Sequence, residues 1–275
     1  MRFAYYIKSA KLLADPRFVA LLDELKRAGC DVYPADSADQ FRPGTDALLS
    51  CGGDGTFLAA AGFAAPAGVP VAGVNFGRLG FLSECRPEDV VPSLLDGAYS
   101  IETRQMLEAD IRCGDMHSQA LVLNDVSVTR GGASMLGVDV RVNGDSLPTC
   151  WADGLVVATS SGSTAYSLSV GGPICTPDSR VTIIAPIAPH NLNVRPLIVP
   201  EDARVEISFR SRDAGVNFTA DNNAIVLPAD AIISVGPAPV KLRCIKPAHF
   251  HFFEALCSKL LWGEDVRNGE DPKLQ

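Results

Sequence analysis

Through the first hundred residues, short apolar runs alternate with segments whose apolar positions recur every three to four residues. Residues 3–7 read as a strand. Phe18, Leu21, Leu22 and Leu25 then fall at i, i+3, i+4 and i+7, and Gly29 supplies a left-handed stop, so residues 16–28 are predicted as an amphipathic helix. Further strands are expected near 31–33, 47–50 and 69–74, with helices from about 56 to 65 and from 87 to 95. Strands alternating with helices in this way are the mark of βαβ units around a parallel sheet.

After about Ser100 the period changes to two, as in Val138-Asp139-Val140-Arg141-Val142, Val205-Glu206-Ile207-Ser208-Phe209 and Val240-Lys241-Leu242-Arg243-Cys244. Gly131-Gly132, Asn143-Gly144, Gly171-Gly172-Pro173 and Asp221-Asn222-Asn223 break this region into short strands, which predicts a β-rich, sandwich-like unit. The tail returns to helix, with Phe253, Leu256, Cys257 and Leu260 on one face and Gly263 ending it. The expected organisation is an α/β domain over 1–100, a β-rich domain over 101–249, and a terminal helix at about 250–263 packed back on the first domain.

Composition narrows the function classes. An apolar fraction of 47% and a charged fraction of 20% in 275 residues are those of a globular chain able to bury a core. A formal charge of −8 argues against a protein whose affinity comes from neutralising nucleic-acid phosphates. Residues 57–77 carry no charge and have the length of a membrane span, but they are mostly Ala and Gly and are cut by Pro66 and Pro70, so no membrane crossing is expected. Eight cysteines scattered singly, without Cys-x-x-Cys pairs, fit a reducing cytoplasm, and Lys8 interrupts the first apolar run too early for a secretion signal.

Three segments carry candidate chemistry. Gly52-Gly53-Asp54-Gly55-Thr56 lies between a predicted buried strand and a predicted helix. Its glycines allow close approach to the backbone, Thr56 could cap the helix, and helix N-terminal amides favour an anion, which makes a phosphate-cradling turn. The same residues could equally form a plain tight turn with Asp54 bonding its own backbone. Asn75-Phe76-Gly77-Arg78-Leu79-Gly80-Phe81-Leu82 follows the next strand at its carboxyl end, where open α/β sheets bind ligands, although a glycine-rich loop needs no ligand to explain it. Neither the Rossmann nor the P-loop glycine spacing is present.

Asp153-Gly154 followed by the hydroxyl-rich stretch 160–169 and Gly171-Gly172-Pro173 is the third. Small residues and hydroxyls there could line a pocket for adenine and ribose, with Tyr166 stacked on a base; alternatively Tyr166 anchors a core beneath a Ser/Thr-rich turn. Asn124-Asp125 closes an apolar run and offers a carboxylate to ribose hydroxyls, or is a strand-end turn. His190 has no partner recognisable in the sequence and reads as structural.

Taken together, these segments resemble the NAD kinase family. Gly-Gly-Asp-Gly-Thr is shared with diacylglycerol and sphingosine kinases, whereas Gly162-Ser163-Thr164-Ala165-Tyr166-Ser167-Leu168-Ser169 after Asp153-Gly154, the Asn75 to Leu82 segment, and Pro189-His190 leading to Arg195-Pro196 are specific to NAD kinases. The resemblance implies an α/β domain with a parallel sheet, a β-rich sandwich-like domain and an active site in the cleft between them. It implies Asp54 as the catalytic carboxylate, and NAD contacts from Gly55, Asn124, Asp125, Asp153, Thr164, Ala165, Tyr166, Ser167, Leu168, Ser169, Ala188 and Asn223. It further implies Mg²⁺ or another divalent metal, ATP or polyphosphate as phosphoryl donor, and a homo-oligomer, dimer or tetramer. No carboxylate cluster marks the metal ligands. The chain departs from the family pattern at Asp125 in place of Glu, Ser160 in place of Pro, Trp151 where a base is common, and Asp221-Asn222-Asn223 in place of Asp-Gly-Gln; Asn222 is expected to hold the left-handed turn that the glycine would.

Overall fold

The computed structural model describes residues 1–77, 80–248 and 252–262. Its first part runs β1 (Arg2–Ile7), α1 (Pro16–Arg27), β2 (Asp31–Pro34), β3 (Ala47–Cys51), α2 (Asp54–Ala64), β4 (Val71–Val74), α3 (Pro87–Leu95) and β5 (Tyr99–Arg104). Then follow β6 (Leu107–Cys113), β7 (Met116–Val122), β8 (Asp125–Arg130), β9 (Leu136–Val142), β10 (Asp145–Ser146), β11 (Cys150–Ala152) and β12 (Gly154–Thr159). After α4 (Tyr166–Ser169) come β13 (Val181–Ile187), β14 (Leu197–Pro200), β15 (Val205–Arg210), β16 (Gly215–Ala220), β17 (Asn223–Pro228), β18 (Ile232–Pro237), β19 (Leu242–Pro247) and α5 (Phe252–Leu260).

The helices start where local chemistry allows. Asp15 caps α1 by accepting the Arg17 amide at 2.9 Å, and Pro16 occupies the first helical position, where a missing N–H costs nothing. Phe18, Leu21 and Leu25 are buried against one face of the first sheet, together with Val90, Val91 and Leu94 of α3. On the other face α2 presents Phe57, Ala60, Ala61 and Ala64, whose small side chains bring the helix close to the sheet. Met106 and Leu123 join that same core, so α2 lies at the junction with the β-rich part.

The first sheet has the order β2-β1-β3-β4-β19-β5. Pairing is parallel from β2 through β19, and β5 closes the edge antiparallel to β19. The stretch around 240–244, read from its period as part of the β-rich unit, therefore belongs to the first sheet. A period of two reports a half-buried strand and says nothing about which sheet receives it; here Leu242 and Cys244 join the core beneath α2. The β-rich part is two antiparallel sheets, β10-β9-β15-β18-β6-β7 with β11 on β9, and β14-β13-β12-β8-β16-β17. Their inner faces share one core that includes Ile111, Val126, Val138, Val157, Ile207 and Phe218, the sandwich expected from the alternating pattern.

The terminal helix turns a different face inward from the one expected. Phe253 is 65% exposed, whereas Phe252 meets the Phe81 ring at 6.4 Å and Lys259 lies over that ring at 4.1 Å. Phe252, Leu256 and Lys259 stand at i, i+4 and i+7; the expected face was drawn from apolar residues alone, whereas a lysine's apolar stem lets it turn inward too. Gly263, expected to end this helix, lies outside the described residues. No helix among the described residues is long and apolar enough to cross a membrane, and residues 57–77 are divided between α2 and β4.

Candidate active site

The turn from β3 into α2 delivers Asp54. A Cβ on Gly52 would lie 2.4 Å from Thr56 Oγ1, and Gly52 has φ +153°, so only glycine lets the strand turn this sharply. The helix begins two residues earlier than the period suggests, with Gly53 at the N-cap and Asp54 in the first turn. Thr56 is consequently inside the helix and does not cap it; its amide bonds Gly53 O at 2.9 Å. The shift matters chemically, because a carboxylate in the first turn sits in the positive end of the helix dipole.

Asp54 is further fixed by the loop after β4. Its Oδ2 accepts the Phe81 amide at 2.8 Å, and its Oδ1 accepts the amides of Leu82 at 3.1 Å and Ser83 at 2.9 Å. The approach is so close that a Cβ on Gly80 would fall 1.6 Å from Oδ1. An ionised carboxylate offers about four acceptor positions. Among the described residues three are filled, and the one left open is on Oδ2. The loop is itself seated on β4: Asn75 N bonds Cys85 O at 2.7 Å, Cys85 N bonds Gly73 O at 3.0 Å, and a Cβ on Gly73 would meet Leu82 O and Ser83 Cα at 2.7 Å. Arg78 and Leu79 of this segment lie outside the described residues.

Across the cleft stand Asn124 and Asp125, at the entry to β8. Asp221 accepts the amides of Leu123 at 2.8 Å, Asn124 at 2.8 Å and Asp125 at 3.2 Å, which pins this corner. Asp221 takes φ +48°, so it holds the left-handed position expected of Asn222; a short side chain that bonds nearby backbone tolerates that conformation. Asn222 is thereby freed to donate through Nδ2 to the Gly55 carbonyl at 3.0 Å, joining the β-rich part to the helix that carries Asp54. Burial, then the neighbouring Asp221 charge, pushes the Asp125 carboxyl up to about 7 against the opposing pull of the Tyr166 amide. Asp221 is raised as well, by burial, with the three amides opposing.

The hydroxyl-rich stretch wraps this corner. Thr159 N bonds Asn124 O at 2.8 Å, Thr159 Oγ1 donates to Leu123 O at 2.6 Å, and a Cβ on Gly162 would fall 2.1 Å from Asn124 O. Several hydroxyls expected to face a pocket are spent inside the loop: Ser160 Oγ on Pro177 O, Ser163 Oγ on Cys175 and Thr164 Oγ1 on Ser161 O. Two buried polar atoms here have no partner, Asn124 Oδ1 and Ser167 Oγ. Orphaned acceptors and donors at a cleft are what a polar ligand would satisfy. Tyr166 is 39% exposed, so it is not a core anchor.

Asp54, Gly55, Asn124, Asp125, residues 164–169 and the Asp221 to Asn223 turn thus form one connected constellation. Asp153 and Ala188 do not join it. They sit at the other end of β12, where Gly154 pairs with Ile187, while Ala158 pairs with Asp125. A six-residue strand separates them from Asn124 by roughly 20 Å at ~3.3 Å per residue. Asp153 there pairs with Arg130 at 2.8 Å, and Ala188 holds φ +44°, an uncommon conformation for a residue with a Cβ. His190 is exposed and its amide bonds Trp151 O at 2.8 Å.

Sequence reasoning missed four parts of the site. The amides of residues 81–83 were invisible because backbone donors leave no side-chain signature. Asn222 was assigned to the turn and not to the bridge. Lys259 was not singled out, because a lysine on a terminal helix carries no local signal that it turns inward. Beneath Asp54's loop, Lys246 pairs with the buried Glu84, and Arg104 bonds Glu102 at 2.7 Å; the visible signal was Lys246 within an otherwise apolar strand end. No group of three His, Cys, Asp or Glu among the described residues could hold a metal ion. A cavity of about 910 Å³, lined by Arg112, Arg141, Arg204 and Glu206, is on the β9-β15-β18-β6 sheet and includes none of these site residues; a cavity of about 650 Å³ lined by Asn75, Gly77, Arg86 and Lys259 adjoins the loop that holds Asp54.

Comparison with known proteins gives a consistent answer. A family model described as the ATP-NAD kinase N-terminal domain matches residues 16–99, and one described as the ATP-NAD kinase C-terminal domain matches 123–246. An NAD kinase of Porphyromonas gingivalis is 40% identical over 262 residues, 93% of this chain and 89% of the relative. One from Ralstonia nicotianae is 41% identical over 242 residues, 86% of this chain and 80% of the relative. Among solved structures, an NAD kinase from Archaeoglobus fulgidus in complex with ATP superposes with a TM-score of 0.75 at 26% identity, over 95% of this chain and 99% of the other. Yeast NADH kinase complexed with NADH shares the fold, with a TM-score of 0.82 at 22% identity over 100% and 90% of the two chains.

Proposed function

The chain belongs to the ATP-NAD kinase family and phosphorylates NAD with ATP, and on that premise we propose how its residues divide the work. Asp54 receives the 2′-hydroxyl of the adenosine ribose in the acceptor position left open on Oδ2, orients its oxygen toward the terminal phosphorus of ATP and takes its proton as the bond forms. Phosphoryl transfer asks mainly for positioning and charge stabilisation, and a carboxylate held by three amides is a positioned group. The observation that carries this reading is the placement of Asp54: in the first turn of α2, locked by the 81–83 amides, and linked through Gly55 and Asn222 to the corner that bears Asn124 and Asp125.

NAD lies along that corner. Asn124 and Asp125 accept ribose hydroxyls, the exposed Tyr166 ring stacks on a base, and Thr164, Ala165, Ser167, Leu168, Ser169 and Asn223 form the wall. The unpartnered Asn124 Oδ1 and Ser167 Oγ support this placement. Asp153 and Ala188 reach NAD from a second copy of the chain, since within one copy the length of β12 holds them away. Exposed Ile225 and Val226 on the edge strand β17 support a homo-oligomer, dimer or tetramer, because an uncovered apolar edge invites pairing.

A divalent metal, Mg²⁺ in the simplest case, fits a site that offers few carboxylates, because that ion keeps several waters and binds largely through substrate phosphates. Its chemistry there is to neutralise charge on the donor. Polyphosphate presents the same terminal phosphoanhydride and is a second candidate donor. Eight free cysteines are in keeping with a cytoplasmic, reducing setting. The test is a coupled assay for NADP formed from NAD, ATP and Mg²⁺, repeated with polyphosphate and with metal chelated. NADP formation that depends on ATP supports the reading; diacylglycerol phosphorylated while NAD is not would overturn it.

A further inference from the structure

We infer that Lys259, on the terminal helix α5, is a ligand of the donor's phosphates: its ammonium is the charge that receives the triphosphate of ATP opposite Asp54. The inference rests on the reaction proposed above. It begins with an ammonium that lacks an acceptor. Lys259 Nζ is out of contact with solvent and makes no hydrogen bond, and what it has instead is the face of the Phe81 ring at 4.1 Å. A ring quadrupole compensates only part of the loss of water around a cation, and burial accordingly draws the Lys259 pKa down. A charged group left in that condition is expensive unless something absent from the isolated chain completes it.

Position says what completes it. Phe81, whose ring carries the ammonium, is the residue whose amide holds Asp54 Oδ2. The charges that act on Lys259 are Asp54 and Glu84, which attract, and Lys246, which repels. Glu84 is already taken by Lys246, with Arg104 at 3.6 Å. Arg17 is committed to Asp15 through two bonds at 3.1 and 2.7 Å and to the Phe76 carbonyl at 2.8 Å. Arg86 of the same region likewise has no ion pair among the described residues, but it is exposed and solvated; Lys259 is the unpaired cation that is withdrawn from water and on which Asp54 acts. It also forms part of the wall of the 650 Å³ cavity, with Asn75, Gly77, Arg17 and Arg86, an opening whose lining is predominantly positive and among the described residues is offset by Glu88 alone.

In the step, the 2′-oxygen bonds to the γ-phosphorus, the bond from that phosphorus to the β,γ-bridging oxygen breaks, its electron pair leaves on ADP, and the hydroxyl proton passes to Asp54. Charge accumulates on the γ oxygens and on the leaving bridge. An ammonium facing those oxygens offsets that charge, and it would attract a triphosphate in the ground state as well.

Lys259→Met keeps the reach of the side chain and removes the charge. With NAD saturating, kcat/KM for ATP should fall by about ten- to a hundredfold, the range for a lost hydrogen bond to a charged group, while the affinity for NAD measured directly stays unchanged. Lys259→Arg should recover most of the loss. A purely structural lysine predicts a lower thermal midpoint and equal damage to both substrates; an unpaired buried cation predicts a midpoint that holds or rises in the Met variant. Should the Met variant fail to fold, Lys259→Gln decides, since it keeps a polar end at nearly the same reach without the charge: kcat/KM for ATP should fall while the affinity for NAD measured directly stays unchanged. A folded Met or Gln variant with unchanged ATP kinetics would overturn the assignment. A wild-type enzyme that makes no NADP from NAD and ATP would instead overturn the reaction on which it rests.

Discussion

Asn222 Nδ2 donates to the carbonyl of Gly55 at 3.0 Å, across the boundary between the β-rich sandwich and the helix that carries Asp54. The bond joins residues 167 positions apart in the chain and is exposed to solvent. Its contribution to global stability is therefore small, ~1 kcal/mol or less. Its effect on catalysis is expected to be larger, because it ties the helix that carries Asp54 to the corner that bears Asn124.

Asn222→Ala should accordingly lower kcat/KM for NAD by about three- to tenfold with little change in urea midpoint, since misplacement of reacting groups costs more than the bond itself. A variant with wild-type kinetics would show that the two parts hold their spacing without this bridge.

Asp125 makes stability depend on pH in a definite direction. Its carboxyl is pushed from 3.8 up to about 7 by burial and by Asp221, so between those values the folded chain keeps a proton that the unfolded chain has released. The stabilising difference is complete below the unfolded value and is lost as pH rises through about 7. Asp125→Asn should gain stability relative to wild type on going from pH 4 to pH 8, measured by thermal unfolding without ligand; because Asp221 acts on Asp125, the difference reports the titration of the pair. If NAD binds through hydroxyls donated to the ionised carboxylate, binding near pH 6.5 should release a proton, seen by calorimetry in buffers of different ionisation heat and absent in the Asn variant.

Tyr166→Ala should weaken NAD binding by ~1–3 kcal/mol, the contribution of a base stacked on an aromatic ring, and should leave kcat for saturating NAD nearly unchanged. Tyr166 is the first residue of a four-residue helix and is partly exposed, so truncation removes little core. An unchanged KM for NAD would take the ring out of the site.

Gly73→Ala tests the support of Asp54 from a distance. The added Cβ would meet Leu82 O and Ser83 Cα at 2.7 Å and Phe57 at 2.9 Å, two of the three being backbone that cannot swing aside. Overpacking of this kind costs ~1–3 kcal/mol. Because Leu82 and Ser83 are the residues whose amides hold Asp54 Oδ1, turnover should fall by more than the thermal midpoint suggests. Equal and small effects on both would show that the loop adapts.

What could be read from the chain alone follows from what local pattern encodes. Residues 16–27 and 87–95 are helical in the structure because their apolar spacing and first-turn prolines are local signals. The sandwich was legible for the same reason. The sheet that receives Leu242–Pro247 was not, because that strand joins neighbours distant in sequence on either side, Val71 and Glu102 being the partners of Cys244. At the site, glycine spacing pointed to Asp54, yet the three amides that hold it, the exchange of roles between Asp221 and Asn222, and the inward turn of Lys259 depend on long-range packing. Gly80 and Gly73, by contrast, mark close approaches that only the folded loop explains.

The role proposed for Asp54 is to act on the hydroxyl that is phosphorylated. Asp54→Asn keeps the size of the side chain, and its amide oxygen could still serve Leu82 and Ser83, but its NH₂ would face the Phe81 amide, so some stability is lost, ~1–3 kcal/mol for a donor left opposite a donor. The decisive measurement is the steady-state rate of NADP formation by this variant, at a temperature where its thermal midpoint shows it folded and with its NAD affinity measured directly. A fall in kcat of ~10²–10⁴ with NAD still bound is the predicted result, the range for a positioned general base. Turnover within about threefold of wild type would contradict the assignment, because removal of a group that acts only in the transition state must appear in kcat.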